Sequence, residues 1–181
     1  MSSELKGKRV AFLAADGVEE VELVEPRNAV EAAGAETQLV SIDSGEIQAF
    51  NHLDPADKIK VDLTADDADP DQFDALVLPG GVANPDFLRQ DKSAVRFVKS
   101  FFEEDKPVGV ICHGPWTLVE ADVVRGRTLT SWPSLQTDLR NAGANWVDEE
   151  VHIDGRLVSS RKPDDIPSFN RAVVDAIAGE E

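Results

Sequence analysis

Short apolar runs alternate with stretches of helical periodicity along most of this chain. Residues 9–15, "RVAFLAA", have the unbroken apolar character of a strand buried on both faces. Val21, Leu23, Val24, Ala29, Val30 and Ala33 then recur at helical spacing, and Gly34 closes the stripe. Pro26 falls early enough in that helix to be tolerated. Residues 37–42, "TQLVSI", predict a second strand, while "EIQAFN" and "KIKVDLT" alternate apolar and polar positions and predict the short strands of an excursion. "DALVLPGG" (residues 74–81) predicts a third buried strand ending in a Gly-Gly turn. Residues 93–104 form an amphipathic pattern with Ser93 placed to cap it. "PVGVI" (residues 107–111) is a fourth strand, and the helix of residues 114–121 opens with Pro115 in its first turn. "RTLTS", a helix over "SLQTDLRNAG", "NWV", a hairpin in "EEVHIDGRLVSS" turning at Asp154-Gly155, and a last helix "IPSFNRAVVDAIAG" complete the order.

Apolar strands interleaved with helices predict a mostly parallel sheet covered on both faces, an α/β three-layer sandwich of doubly wound type. The 181 residues suffice for one domain spanning 1–181, which should bury roughly 70% of its unfolded surface. One cysteine leaves no intramolecular disulfide, and no Cys or His spacing points to a metal. The polar start and the lack of a long apolar run predict a soluble, cytoplasmic protein with no membrane partner.

Charge changes the picture. Thirty-five acidic residues face 18 basic ones, a formal net charge of −17. The acids run from Glu4 to Glu181 rather than gathering in a tail, and tyrosine is absent. Dispersed acidity of this degree predicts adaptation to high salt, where screening suppresses self-repulsion. It also argues against a nucleic-acid partner, which requires a basic face.

The lone cysteine, Cys112, stands where "VGVI" ends and "HGPW" begins. This strand-turn-helix context is that of a nucleophile elbow, and a helix N-terminus there predicts a thiol pKa lowered to roughly 3.5–7.5. Gly80 and Gly81 end the neighbouring strand, so their N–H groups could join that of His113 as an oxyanion hole. A small buried hydrophobe is the alternative for Cys112.

"VICHGPW", "DALVLPGG", "DGVEEVEL" and "VSSRKP" together resemble the PfpI/ThiJ superfamily, in particular its PfpI-type intracellular protease and deglycase branch. The resemblance runs in order through nearly the whole chain. It implies a flavodoxin-like fold of the class I glutamine amidotransferase type, with Cys112 as nucleophile. The family's acidic partner of the cysteine matches Glu22, which the resemblance places in the crevice beside Cys112. A carboxyl desolvated there would have a raised pKa; Glu19 and Glu20 need only the helix dipole to explain them. The resemblance further implies that His113 pairs with an acid of a neighbouring subunit, here Asp86, in a homo-oligomer built as a dimer or ring of dimers. A cap after Pro85 is the plainer role for Asp86.

Three functions follow. The first is a cofactor-free conversion of a 2-oxoaldehyde such as methylglyoxal, or its adducts, to a 2-hydroxy acid, in stress protection. The second is peptide hydrolysis with His113 protonating the leaving amine. The third is non-enzymatic, a redox sensor or stress chaperone. Trp116 is a candidate pocket wall or, equally, a core tryptophan. Trp132 and Trp146 are expected in the core or an interface, His52 on the surface, and His152 in a hairpin strand without a partner.

Overall fold

The computed structural model describes residues 3–179. In chain order the strands are β1 (Arg9–Leu13), β2 (Val18–Glu19), β3 (Glu36–Ser41), β4 (Glu46–Asn51), β5 (Asp54–Lys60), β6 (Leu63–Thr64), β7 (Ala75–Leu78), β8 (Val108–Ile111), β9 (Thr128–Leu129), β10 (Asn145–Trp146), β11 (Val151–Asp154) and β12 (Leu157–Ser160). The helices are α1 (Glu20–Ala32), α2 (Ala83–Gln90), α3 (Lys92–Glu103), α4 (Pro115–Glu120), α5 (Gln136–Asn141) and α6 (Ile166–Ala178).

Seven strands form the central sheet in the order β11-β12-β8-β7-β1-β3-β6. Every pairing in it is parallel except that of the edge strand β11 with β12. The pleat sends alternate residues of β1 to opposite faces. Val10 and Phe12 pack with Leu23 and Val30 of α1 and Phe169 and Val173 of α6. Ala11 and Leu13 pack with Leu88, Phe97, Phe101 and Leu118 on the other face. Helices thus cover both faces, the arrangement that unbroken apolar strands require.

The excursion read from "EIQAFN" and "KIKVDLT" is the β4–β5 hairpin, which joins β2 in a small separate sheet. Its second strand starts earlier than the alternation indicates, at Asp54, and Leu63–Thr64 instead extends the central sheet beside β3. The later hairpin turns at Gly155-Arg156, because Asp154 still pairs with Leu157. Helix α3 is capped by Asp91, whose carboxylate accepts the Ala94 N–H at 2.8 Å; Ser93 lies inside the helix and bonds Asp66 instead. Among the described residues, no helix is long and apolar enough to cross a membrane.

From β1 the chain crosses through α1 to β3 on one side, whereas β7 lies on β1's other side. Strand order therefore reverses at β1, and a crevice opens beyond the carboxyl ends of β1, β7 and β8.

Candidate active site

Cys112 occupies that crevice one residue past β8, with a left-handed backbone (φ 63°). Such a conformation is costly for a residue with a Cβ and persists only where surroundings enforce it. Here the Cys112 N–H donates to the Ser160 carbonyl at 3.1 Å and its own carbonyl accepts the Trp132 N–H at 2.9 Å. The turn closes with the Gly114 N–H on the Ile111 carbonyl, and Pro115 starts α4. A side chain on Gly114 would lie 2.9 Å from the Leu78 carbonyl oxygen, so only glycine lets the elbow sit against β7.

The Pro79-Gly80-Gly81 turn comes against the elbow from β7. A Cβ on Gly80 would stand 2.6 Å from Glu22 Oε1 and 2.7 Å from Cys112 Cβ. Gly81 has φ 80°, and a Cβ there would be 2.3 Å from the Gly17 carbonyl oxygen. Asn84 in α2 fixes this turn. Fully buried, it accepts the Ala15 N–H at 2.7 Å and donates to the carbonyls of Pro79 (3.1 Å) and Gly80 (3.0 Å).

Glu22, in the first turn of α1, is fully buried beside the thiol. Its Oε1 accepts the Gly80 N–H at 3.0 Å, while Oε2 meets no nitrogen or oxygen donor. Burial first, and then the neighbouring Glu19 carboxylate, push its pKa from 4.5 up to about 8. Burial, followed by the Glu22 carboxylate, also pushes the Cys112 thiol upward, against the lowering effect of the Gly81 and His113 N–H groups. The low thiol pKa expected from a helix N-terminus is therefore corrected: α4 has only six residues, and burial with the Glu22 carboxylate outweighs the Gly81 and His113 N–H groups. Two buried groups that each resist ionisation thus stand side by side, and Glu22 keeps its proton up to about pH 8.

His113 lies directly against the thiol, Nδ1 to Sγ 3.1 Å, and burial lowers its pKa. Its ring stacks on Trp132 (centroids 5.7 Å apart, 23° between planes) and meets Trp116 edge-on at 5.3 Å. Trp132, expected in the core or an interface, lines the cleft over Cys112; Trp116 does not, because its indole N–H is drawn away to Asp138 at 2.9 Å. The expected oxyanion set is likewise narrowed. The Gly80 N–H bonds Glu22, the Gly81 N–H acts on both Glu22 and the thiol, and that of His113 acts on the thiol.

Asp86 is exposed on the first turn of α2, bordering a surface hollow with Trp116 and Asp138, and within the chain it does not bond His113. The capping role fails too, since Asp86 lies inside that helix, which the sequence pattern did not reveal. His152 does have a partner, Glu149, at 2.8 Å. His52 is exposed as expected but stands at the cleft mouth, its N–H donating to both oxygens of Glu19 (3.2 and 3.1 Å). Arg161 of "VSSRKP" clamps Asp165 through two bonds of 3.0 Å and Asp148 at 2.9 Å. That clamp sets the loop that carries Pro163 to the cleft wall. No spacing rule marks Glu19, Asn84, Trp132 or Pro163, since each reaches the site from a different segment.

Residues 8–176 match the model of the family described as DJ-1/PfpI. The chain is 43% identical over 166 residues to the protein named Deglycase TK1284 of Thermococcus kodakarensis, covering 92% of this chain and 97% of that one. It is 40% identical over 164 residues to "Putative cysteine protease YraA" of Bacillus subtilis, covering 91% and 95% respectively. The crystal structure of Drosophila melanogaster DJ-1beta superposes with a TM-score of 0.87 at 25% identity, covering 99% of this chain and 92% of that one.

Proposed function

The chain belongs to the DJ-1/PfpI family, and from that premise we propose that it is a cysteine-dependent enzyme converting 2-oxoaldehydes, or their adducts on amino groups, to 2-hydroxy acids. The observation that carries this reading is the Cys112–Glu22 pair, a thiol and a carboxyl buried together against the Gly80-Gly81 turn, with the carboxyl holding its proton up to about pH 8. The relative named a deglycase supports the same class of chemistry.

The Cys112 thiol releases its proton to solvent as its sulfur adds to the aldehyde carbon, and Glu22 gives its own proton to the resulting alkoxide, forming a hemithioacetal. The Gly81 and His113 N–H groups stabilise the oxyanion as it develops. Glu22, now a carboxylate, or neutral His113 removes the proton on C1. The enediol that forms is reprotonated on C2, leaving a thioester of the 2-hydroxy acid. Water releases the acid and restores the thiol. C1 is oxidised and C2 reduced within one molecule, so the balance needs no external electron acceptor.

The test is lactate formation from methylglyoxal, followed by NMR in molar KCl without glutathione, comparing wild type with Cys112→Ala. Lactate from wild type alone is the expected result; none from folded wild type would overturn the reading.

A second reading, peptide hydrolysis, is favoured by the His113–Cys112 contact of 3.1 Å. His113 would protonate the leaving amine, with exposed Asp86 of a second copy orienting its ring in a homo-oligomer. An aldehyde demands less of this geometry, because its carbonyl is more electrophilic and expels no amine.

A further inference from the structure

The cleft above Cys112 is larger and more apolar than a three-carbon aldehyde requires. Its volume of about 380 Å³ falls within the roughly 300–1,000 Å³ of pockets that enclose drug-sized ligands. Phe50, Leu53, Val82, Ala83, Trp132 and Pro163 wall it, while its ionisable groups gather at the floor and at one side of the mouth. Two of these wall residues, Leu53 (93% exposed) and Val82 (58%), contribute little to the core. Leu53 rides on the β4–β5 turn, and the turn is pinned over the cleft by the His52 N–H on Glu19. An apolar side chain held in water beside a reactive thiol has a binding role open to it that folding does not explain.

Charge selects further. The Glu19 carboxylate is near enough to Glu22 to raise its pKa, and the whole chain carries −17. The His52 ring leans to Glu19 with Nδ1 3.6 Å from Oε1, so it offers no separate cation to an anionic substrate.

We propose that the substrates are uncharged 2-oxoaldehydes bearing an extended apolar group, whose aldehyde carbon sits over Cys112 and whose tail lies between Leu53, Val82 and Trp132. The proposal rests on the 2-oxoaldehyde reading and names its substrate class.

The test is kcat/KM along a homologous series of n-alkyl glyoxals, from methyl to pentyl, in which carbonyl reactivity is nearly constant. One further compound ends the longest chain in a carboxylate. Each added methylene should raise kcat/KM about threefold to fourfold, as burial of one methylene does. The carboxylate compound should fall well below its neutral counterpart. Leu53→Ser should flatten the series, whereas Ile153→Ser, an exposed apolar residue outside the cleft, should leave the slope as it was. Turnover of methylglyoxal with a flat series would overturn this inference and leave the proposed function standing. Turnover of no aldehyde would overturn the proposed function. The cleft's preference is then read from alkylation of Cys112 by N-alkyl maleimides of increasing length, normalised to glutathione. Rates that climb with length sustain an apolar tail site, and flat rates end it.

Discussion

Glu22 Oε1 accepts the Gly80 N–H at 3.0 Å, and this one bond ties the first turn of α1 to the turn that flanks Cys112. It holds the carboxyl where its proton can reach the thiol, and the same bond removes Gly80 from the set of oxyanion donors. Glu20, two residues earlier, accepts the Asp57 N–H at the surface and has no such reach. Glu22→Gln should therefore lower kcat by about a hundredfold or more, while Glu20→Gln stays near wild type. Equal losses in steady-state assays would remove Glu22 from the proton path.

Stability should vary with pH through the same carboxyl. Its pKa rises from 4.5 to about 8 on folding, so between those values the folded chain holds a proton that the unfolded chain has released. The stabilising contribution is complete below about pH 4.5 and is lost as pH climbs through about 8. Urea unfolding at several pH values checks this. The stability of wild type relative to Glu22→Gln should decline across that window, and a constant difference would contradict the raised value.

Gly81→Ala should cost at least about 2 kcal/mol, because it forces a Cβ into left-handed backbone and toward the Gly17 carbonyl oxygen. The β2 segment at Glu19 must shift to admit it, since the added carbon would also come within 2.7 Å of the Glu19 nitrogen. Thermal unfolding and Cys112 alkylation should both register the change.

Asn84→Ala leaves the Ala15 N–H and the carbonyls of Pro79 and Gly80 without their buried partner. A loss of about 3 kcal/mol is expected by urea titration. Asn84→Asp keeps the acceptor for Ala15 but forfeits both donated bonds, so it should also be destabilising. Either variant that unfolds like wild type would show that the turn holds itself.

Salt should stabilise the protein. With −17 on 181 residues, self-repulsion is felt over about 10 Å at 0.1 M salt and only about 3 Å at 1 M. The midpoint of thermal unfolding should rise from dilute buffer to molar KCl, and a flat response would argue against a halophilic adaptation.

Much of this was legible in the residue pattern because the strands are buried on both sides. "ALVL" and "VGVI" have no polar position, "RVAFL" has one only at its first residue, and Gly-Gly and Cys-His-Gly-Pro mark where two of them end. Helix α2 escaped because Asn84 and Pro85 dilute its apolar face and its eight residues give little periodicity. The elbow's effect on the thiol is hidden from the sequence for a different reason. Position relative to a helix can be read along the chain, whereas the burial that raises the thiol pKa comes from the folded surroundings, and the next cause, the Glu22 carboxylate, lies ninety residues away in sequence. Trp116 packs against the core with its indole N–H on Asp138, and Trp132 lines the cleft instead, a contact between distant segments that no local spacing marks.

The two backbone bonds that hold Cys112 have a consequence for synthesis. One reaches forward to Trp132 and the other to Ser160. While the chain is still being made, the elbow has neither anchor, and residue 112 belongs to a segment with no reason to adopt φ 63°. The thiol's passage into the desolvated state comes only when the last strand of the sheet has emerged and docked. Assembly of the candidate site is thereby deferred until β12 has docked, so a fragment ending before Ser160 lacks the geometry described above.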